Sequence, residues 1–327
     1  MNRVFTRLVR RALLGLTMIM AANAACAQSF PDHPIEIIVP YAPGGLLDVA
    51  ARLAADALGK ELHQAVVVKN YAGAGGTIGA ARLAKAQPDG YTLGLGSFGM
   101  VINKVLRPEV DYDPLKSFTT IGYLGDQAFV LMVNPQKIQA RDTAELIDLI
   151  RAHPGQYTYA SGGVGAPSHV MAEQLSIVQK LDVVHIPYQG QNPAILALLS
   201  GEVDFSLQTV AGSEDLIHTG RIRALASTGK KRLTALPQVP TFSEQGIGGL
   251  EPESWLGIFA PAGLSDTVRQ RLQDAWANVV ANPAFRDALA KRAIESRDIT
   301  PTQFNAMIAS DKIYWTDVVK RTGITLK

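Results

Sequence analysis

Pro43-Gly44-Gly45 is the place where this chain could hold an anion with backbone alone. The apolar run 35–39 precedes it, and Val49, Leu53 and Ala57 follow at helical spacing, which predicts a strand, a loop and a helix. Pro43 fixes one backbone angle, and Gly44 and Gly45 let the chain come close to a small guest. The first amides of the helix then lack carbonyl partners and point out of the turn. Three more runs of small residues follow strand-like segments, at 72–77, 94–99 and 161–169. In parallel sheets ligands gather beyond the carboxyl ends of the strands, where such loops lie.

Catalytic constellations are hard to assemble from the same chain. At 73–79 Ile78 stands where the dinucleotide fingerprint needs its third glycine, and no phosphate-cradling G-x-x-x-x-G-K-[ST] occurs. No nucleophile elbow surrounds Ser97 or Ser161, which have Leu95 and Tyr159 at the key spacing. The six histidines, 33, 63, 153, 169, 185 and 218, show no H-x-x-x-H spacing, so neither a metal site nor a cofactor is expected. Ser168 and His169 are neighbours, and neighbours on a helix point in different directions. An exported hydrolase or isomerase built on that pair is the rival function.

The elements that must position these loops alternate. Strands are expected at 65–69, 91–95, 129–133, 157–160, 183–186, 203–207 and 222–227, and helices at 77–85, 143–152, 168–178 and 191–199. This pattern predicts an α/β fold of mostly parallel sheets flanked by helices. Asp142 with Glu145 starts one helix. After a last strand at 255–260 only helices are expected, at 266–280, 284–290 and 301–320, the last opened by Thr300-Pro301-Thr302-Gln303. No Pro/Gly/Ser-rich linker appears, so crossing strands near 118–133 and 255–260 are the expected domain connections.

Residues 1–27 carry four arginines, no acid and the apolar run 12–22, and they end in Ala25-Cys26-Ala27. That is a secretory signal peptide with an A-x-A cleavage site, too short to span a membrane comfortably. Lipidation at Cys26 is the competing processing route, and Asn23 is a poor residue for it. The whole chain has 31 Lys+Arg and 29 Asp+Glu; without the four signal arginines the balance is 27 to 29, near −2. A basic patch for nucleic acid is therefore not expected. About 300 mature residues exceed one ordinary core, so two domains are expected.

The ordered set 41–48 (Tyr-Ala-Pro-Gly-Gly-x-x-Asp), 73–79, Pro88-Asp-Gly-Tyr-Thr92, Pro167-Ser-His169, His185-Ile-Pro-Tyr188, Gly201-Glu-Val-Asp204 and Leu236-Pro-x-Val-Pro-Thr241 resembles the tripartite tricarboxylate transporter substrate-binding receptors, the Bug proteins. The resemblance covers nearly all of the mature chain. It implies a two-domain Venus-flytrap periplasmic binding protein, domain 1 being 28–125 with 255–327 and domain 2 being 126–254. It further implies a monomer that closes on a small organic carboxylate and passes it to membrane transporter subunits or a sensor kinase. Mapped here, Tyr41, Pro43, Gly44 and Gly45 form the first anchor, with Asp48 fixing the loop. Gly75, Gly76, Ser97, Phe98, Ser161, Gly165, Ala166, Ser168 and His169 would line the remainder, with Asp204 a weaker candidate. Leu46, Leu47 and Phe98 depart from the family pattern: either they pack into the domain, or they make a less polar pocket.

Overall fold

The computed structural model describes residues 30–210, 212–250 and 254–323. The signal-peptide segment 1–27 lies outside them. The chain opens with β1 (Ile35–Val39), α1 (Leu46–Leu62), β2 (Val66–Asn70), α2 (Thr77–Ala84), β3 (Thr92–Ser97), α3 (Gly99–Leu106) and β4 (Phe118–Gln127). There follow β5 (Phe129–Val133), α4 (Thr143–Ala152), β6 (Thr158–Ser161), α5 (Pro167–Gln179), β7 (Val184–Pro187) and α6 (Gln191–Ser200). Then come β8 (Phe205–Thr209), α7 (Glu214–His218), β9 (Arg223–Ser227), β10 (Ser254–Pro261), α8 (Asp266–Ala281), α9 (Pro283–Ala290), β11 (Ile294–Glu295) and α10 (Pro301–Thr322).

These strands form two sheets, ordered β11-β4-β10-β3-β1-β2 and β7-β6-β8-β5-β9. Both are mixed, where mostly parallel sheets were expected. In the first, β1 runs parallel to β2 and β3, whereas β10 is antiparallel to β3 and β4. In the second, β6 is parallel to β7 and β8, and β5 is antiparallel to β8 and β9. The antiparallel pairings come from the strands next to the sheet changes. β4 and β10 return through the first sheet, and β5 starts the second one residue after β4 ends, across Ala128. The chain leaves the second sheet after β9 and re-enters the first at β10.

Local chemistry accounts for most elements. α10 has the full capping box, Thr300 accepting from the Gln303 amide, with Pro301 in its first turn. Asp142 caps α4 through the Glu145 amide, and the Glu145 carboxylate turns back to the Arg141 amide instead of Asp142. α1 forms as expected but is rotated: Ala50, Ala51, Ala54, Ala55 and Leu58 are buried, while Val49, Leu53 and Ala57 sit half-exposed. The small alanine face lets α1 lie close against α8 and α9, which the larger stripe could not do. The tail after β10 is not helical throughout, because Ile294 and Glu295 add a short edge strand to β4. One apolar cluster joins the two sheets near the β4–β5 junction. In it Phe98 meets Phe129 edge-on at 5.8 Å and Trp315 at 5.9 Å.

Candidate functional site

The carboxyl ends of β1, β6 and β8 meet the β4–β5 junction around a cavity of about 60 Å³. Room for a water takes roughly 10–15 Å³ on the same scale, so the space suits a small molecule. Three helices begin on its wall: α1 at Gly45-Leu46-Leu47, α5 at Ala166-Pro167-Ser168 and α6 at Gly190-Gln191. None of the three has a side-chain cap, whereas α4, α8, α9 and α10 all do, and no N-cap of those four lies on this wall. Amides left open at a helix start carry partial positive charge. Among the described residues, none lining the cavity has a charged side chain.

The first of these loops is tied from below. Asp48 accepts from the Gly44 amide at 2.9 Å, from Arg52 at 3.0 Å through each carboxylate oxygen, and from Asn70 at 3.0 Å. Burial alone would raise the pKa of Asp48, but those three donors outweigh it and hold the carboxyl below its ordinary value. Asp48 therefore fixes the loop and does not face a guest. Gly44 has φ +83 and sits on the exposed rim, where an added Cβ would lie 2.7 Å from Asn192 of α6. Pro43 is on that rim too. Gly45 is extended backbone with nothing nearer its Cβ direction than the Ala42 carbonyl at 3.9 Å. It needs to be glycine only to leave the cavity open.

Tyr41 divides this cavity from a second one of about 280 Å³ bordered by 72–76, Arg107, 162–164 and 187–190. Its hydroxyl donates to the Gly75 carbonyl at 3.1 Å, and burial pushes its pKa well above the ordinary value, so it stays a neutral donor. Gly75 and Gly76 belong to this neighbouring cavity. Gly75, at φ +66, approaches the second lobe so closely that a Cβ would sit 2.8 Å from Val164 O and Gly165 C. Arg107 bridges the same gap, donating to Ala74 O at 2.8 Å and Val164 O at 3.3 Å.

Several residues expected on the wall serve the scaffold instead. Ser97 is 2 % exposed behind Tyr41 and accepts from the Gly99 amide at 3.4 Å. Phe98 is equally buried and packs behind Phe129, so it belongs to the core because it is large and apolar. Ser161 is fully buried, with its hydroxyl 2.6 Å from His185 Nε2. His169 accepts the Gly165 amide on Nδ1 at 3.2 Å and stacks on His185 at 4.1 Å, which uses both Gly165 and His169 in the loop's own structure. Burial holds both imidazoles below their ordinary range, His185 to about 4 with the help of His169, so both are neutral near pH 7. Ser168 Oγ accepts from the Gly162 amide at 2.9 Å and makes no pair with His169. Asp204 lies before β8, at the opposite end of the sheet, where it accepts from Thr158 and pairs with Lys137 at 2.9 Å.

Of the expected residues, Tyr41, Gly45, Ala166 and Ser168 do reach the cavity, and so do both departures Leu46 and Leu47. The sequence reading missed Gln127 and Phe129 at the junction, Gln208 and Thr209 at the end of β8, and Gln191 at the start of α6. Gln191 and Thr209 hold each other, with Gln191 Nε2 donating to Thr209 O at 2.8 Å and Thr209 Oγ1 donating to Gln191 Oε1 at 2.7 Å. The signal for Gln127 and Phe129 was present, since the crossing strand had been located but not treated as wall.

Two helix-flanked sheets joined by a crossing strand, with uncapped helix starts facing a cavity, define a two-lobed solute-binding protein. The match to known proteins makes this specific. Residues 50–324 fit the model of the tripartite tricarboxylate transporter family receptor, and the chain belongs to that family of periplasmic receptors, which are not enzymes. Protein BugT of Bordetella pertussis is 34% identical over 326 residues, covering 98% of this chain and 99% of BugT. The structure of the periplasmic binding protein BugD superposes with a TM-score of 0.86 at 30% identity, covering 90% of this chain and 99% of BugD. MatC of Rhodopseudomonas palustris with bound malate gives 0.84 at 29% identity, covering 89% and 100%.

Proposed function

We propose that this protein captures a small organic carboxylate in the cavity between its lobes and delivers it to membrane transporter subunits or to a sensor. The observation that carries this reading is the set of three uncapped helix starts converging on one uncharged cavity. Such a wall favours an anion held by amides, each contact being worth about 0.3–1 kcal/mol when exposed and up to about 2 when partly buried. Several together support micromolar binding. The malate found in MatC is a ligand of the same chemical kind. On this reading Tyr41, Gly45, Ala166 and Ser168 contact the guest, and Asp48, Ser161 and His169 hold the loops that present it.

The domains on this proposal are 28–125 with 255–327, and 126–254, and residues 1–27 export the chain to the periplasm before removal. The receptor acts as a monomer. Calorimetry tests the anion site directly: carboxylic acids of three to six carbons are expected to bind, and their methyl esters are not. Equal binding of an acid and its ester would overturn the proposal.

A further inference from the structure

The strand side of the cavity differs from the helix side. There Gln208, only 2 % exposed, has an Nε2 without a partner, and Gln127, 3 % exposed, has an Oε1 without one. The other end of the Gln127 amide is taken, since its Nε2 donates to Ser254 Oγ at 3.0 Å. Both side chains line the cavity. Native proteins pair nearly all buried polar groups, so one open donor and one open acceptor on the same wall point to a partner that supplies both. Among the described residues no cation lines that wall.

Resting on the carboxylate reading, we infer that the guest is a monoanion carrying, apart from its carboxylate, a neutral group that both accepts and donates hydrogen bonds, of the carboxamide or alcohol kind. Its oxygen accepts from Gln208 Nε2, and its N–H or O–H donates to Gln127 Oε1. A second carboxylate has no proton for Gln127 and brings an unpaired charge into a wall without a cation. A plain alkyl end leaves both amides open. The half-buried Leu47 and the buried Phe129 cover the short apolar link between the two polar ends.

The test is a calorimetric panel at pH 8 on the purified protein. It compares alkanoates (butyrate, valerate), diacids (succinate, glutarate) and ω-amido acids (succinamate, glutaramate), with the methyl esters of the last pair. The ω-amido acids are expected to bind roughly tenfold or more tightly than the alkanoate and the diacid of equal length. Gln208→Met and Gln127→Met should each erase the advantage over the alkanoate. If Gln208→Met fails to fold, Gln127→Met carries the comparison. Diacids or alkanoates binding as well as the amido acids, with esters still excluded, would overturn this inference and leave the carboxylate reading intact. Esters binding as well as acids would overturn both.

Discussion

The two lobes hold their cavity loops by opposite means. Before α1 the loop is tied by an ion: Asp48, nearly buried, gathers the Gly44 amide, Arg52 and Asn70. Before α5 the ties are neutral: Ser168 takes the Gly162 amide, His169 takes the Gly165 amide, and His185 braces Ser161. A carboxylate concentrates several bonds in one residue, so one loss loosens the whole loop. Neutral ties are spread out, each one matters less, and the imidazoles among them answer to mild acid.

The largest effect expected is on binding. Gly45→Val places a branched side chain in the cavity without backbone strain, costing about 3 kcal/mol, or roughly a hundredfold in affinity, with the melting temperature nearly unchanged. Gly44→Val, by contrast, should lower the melting temperature too, because its φ of +83 disfavours a side chain. Melting curves with and without an acid ligand separate the two. Asp48→Ala is expected next, costing about 2–3 kcal/mol of stability since it leaves the Gly44 N–H and the Asn70 amide open. Ser168→Ala, its counterpart in the second lobe, should cost about 1 kcal/mol, the worth of one hydrogen bond. Denaturant midpoints check both, and equal costs would break the comparison.

The most gradual effect is the response to pH. His185 titrates at about 4 when folded against 6.5 ordinarily, so the unfolded chain takes the proton first as pH falls. The stability from neutral His185 is complete above pH 6.5 and is lost progressively down to about 4. Asp311 works the other way: burial raises it to about 6, so its contribution is lost as pH rises from 3.8. An Asp311→Asn background removes one opposing slope, and His185→Asn should lessen the loss toward acid, with His169 and the raised Asp126 keeping their own share. Amide protection at Gly165, whose acceptor is His169 Nδ1, should fall as the imidazole takes a proton below pH 6.5, while protection at Gly44 holds, because its donors keep the Asp48 carboxyl below its ordinary value.

Much of this was legible in the chain itself, for identifiable reasons. Alternating apolar runs placed β1 and β5 to the residue and most helices within a residue or two, and the Thr300 capping box was read correctly because capping is local. The loop 43–48 followed from residue type and spacing, and a part for Asp48 in it came with the family resemblance. Burial of Ser97, Phe98 and His169 did not, since a small-residue loop shows that backbone turns there and not which side chain faces inward. Gln127 and Gln208 were invisible because nothing local marks a glutamine brought to a cavity by two different strands. Strand direction was misjudged for a similar reason: mixed pairing arises where the chain changes sheets, which is a property of the whole path.

A single residue, Ala128, separates β4 from β5. A body that swings about a point displaces its parts in proportion to their distance from that fulcrum. Gln127 and Phe129 flank the point and line the cavity, so a guest resting on them keeps those contacts through most of a swing. Gly75 facing Gly165, and Gly44 facing Asn192, are contacts from one lobe to the other, so a swing would part them. Only contacts that differ between two arrangements bias one against the other. On the proposed function, grip and shape-change would rest on different residues: those at the fulcrum would retain the guest, and those on the arms would alter the outline that the receptor presents.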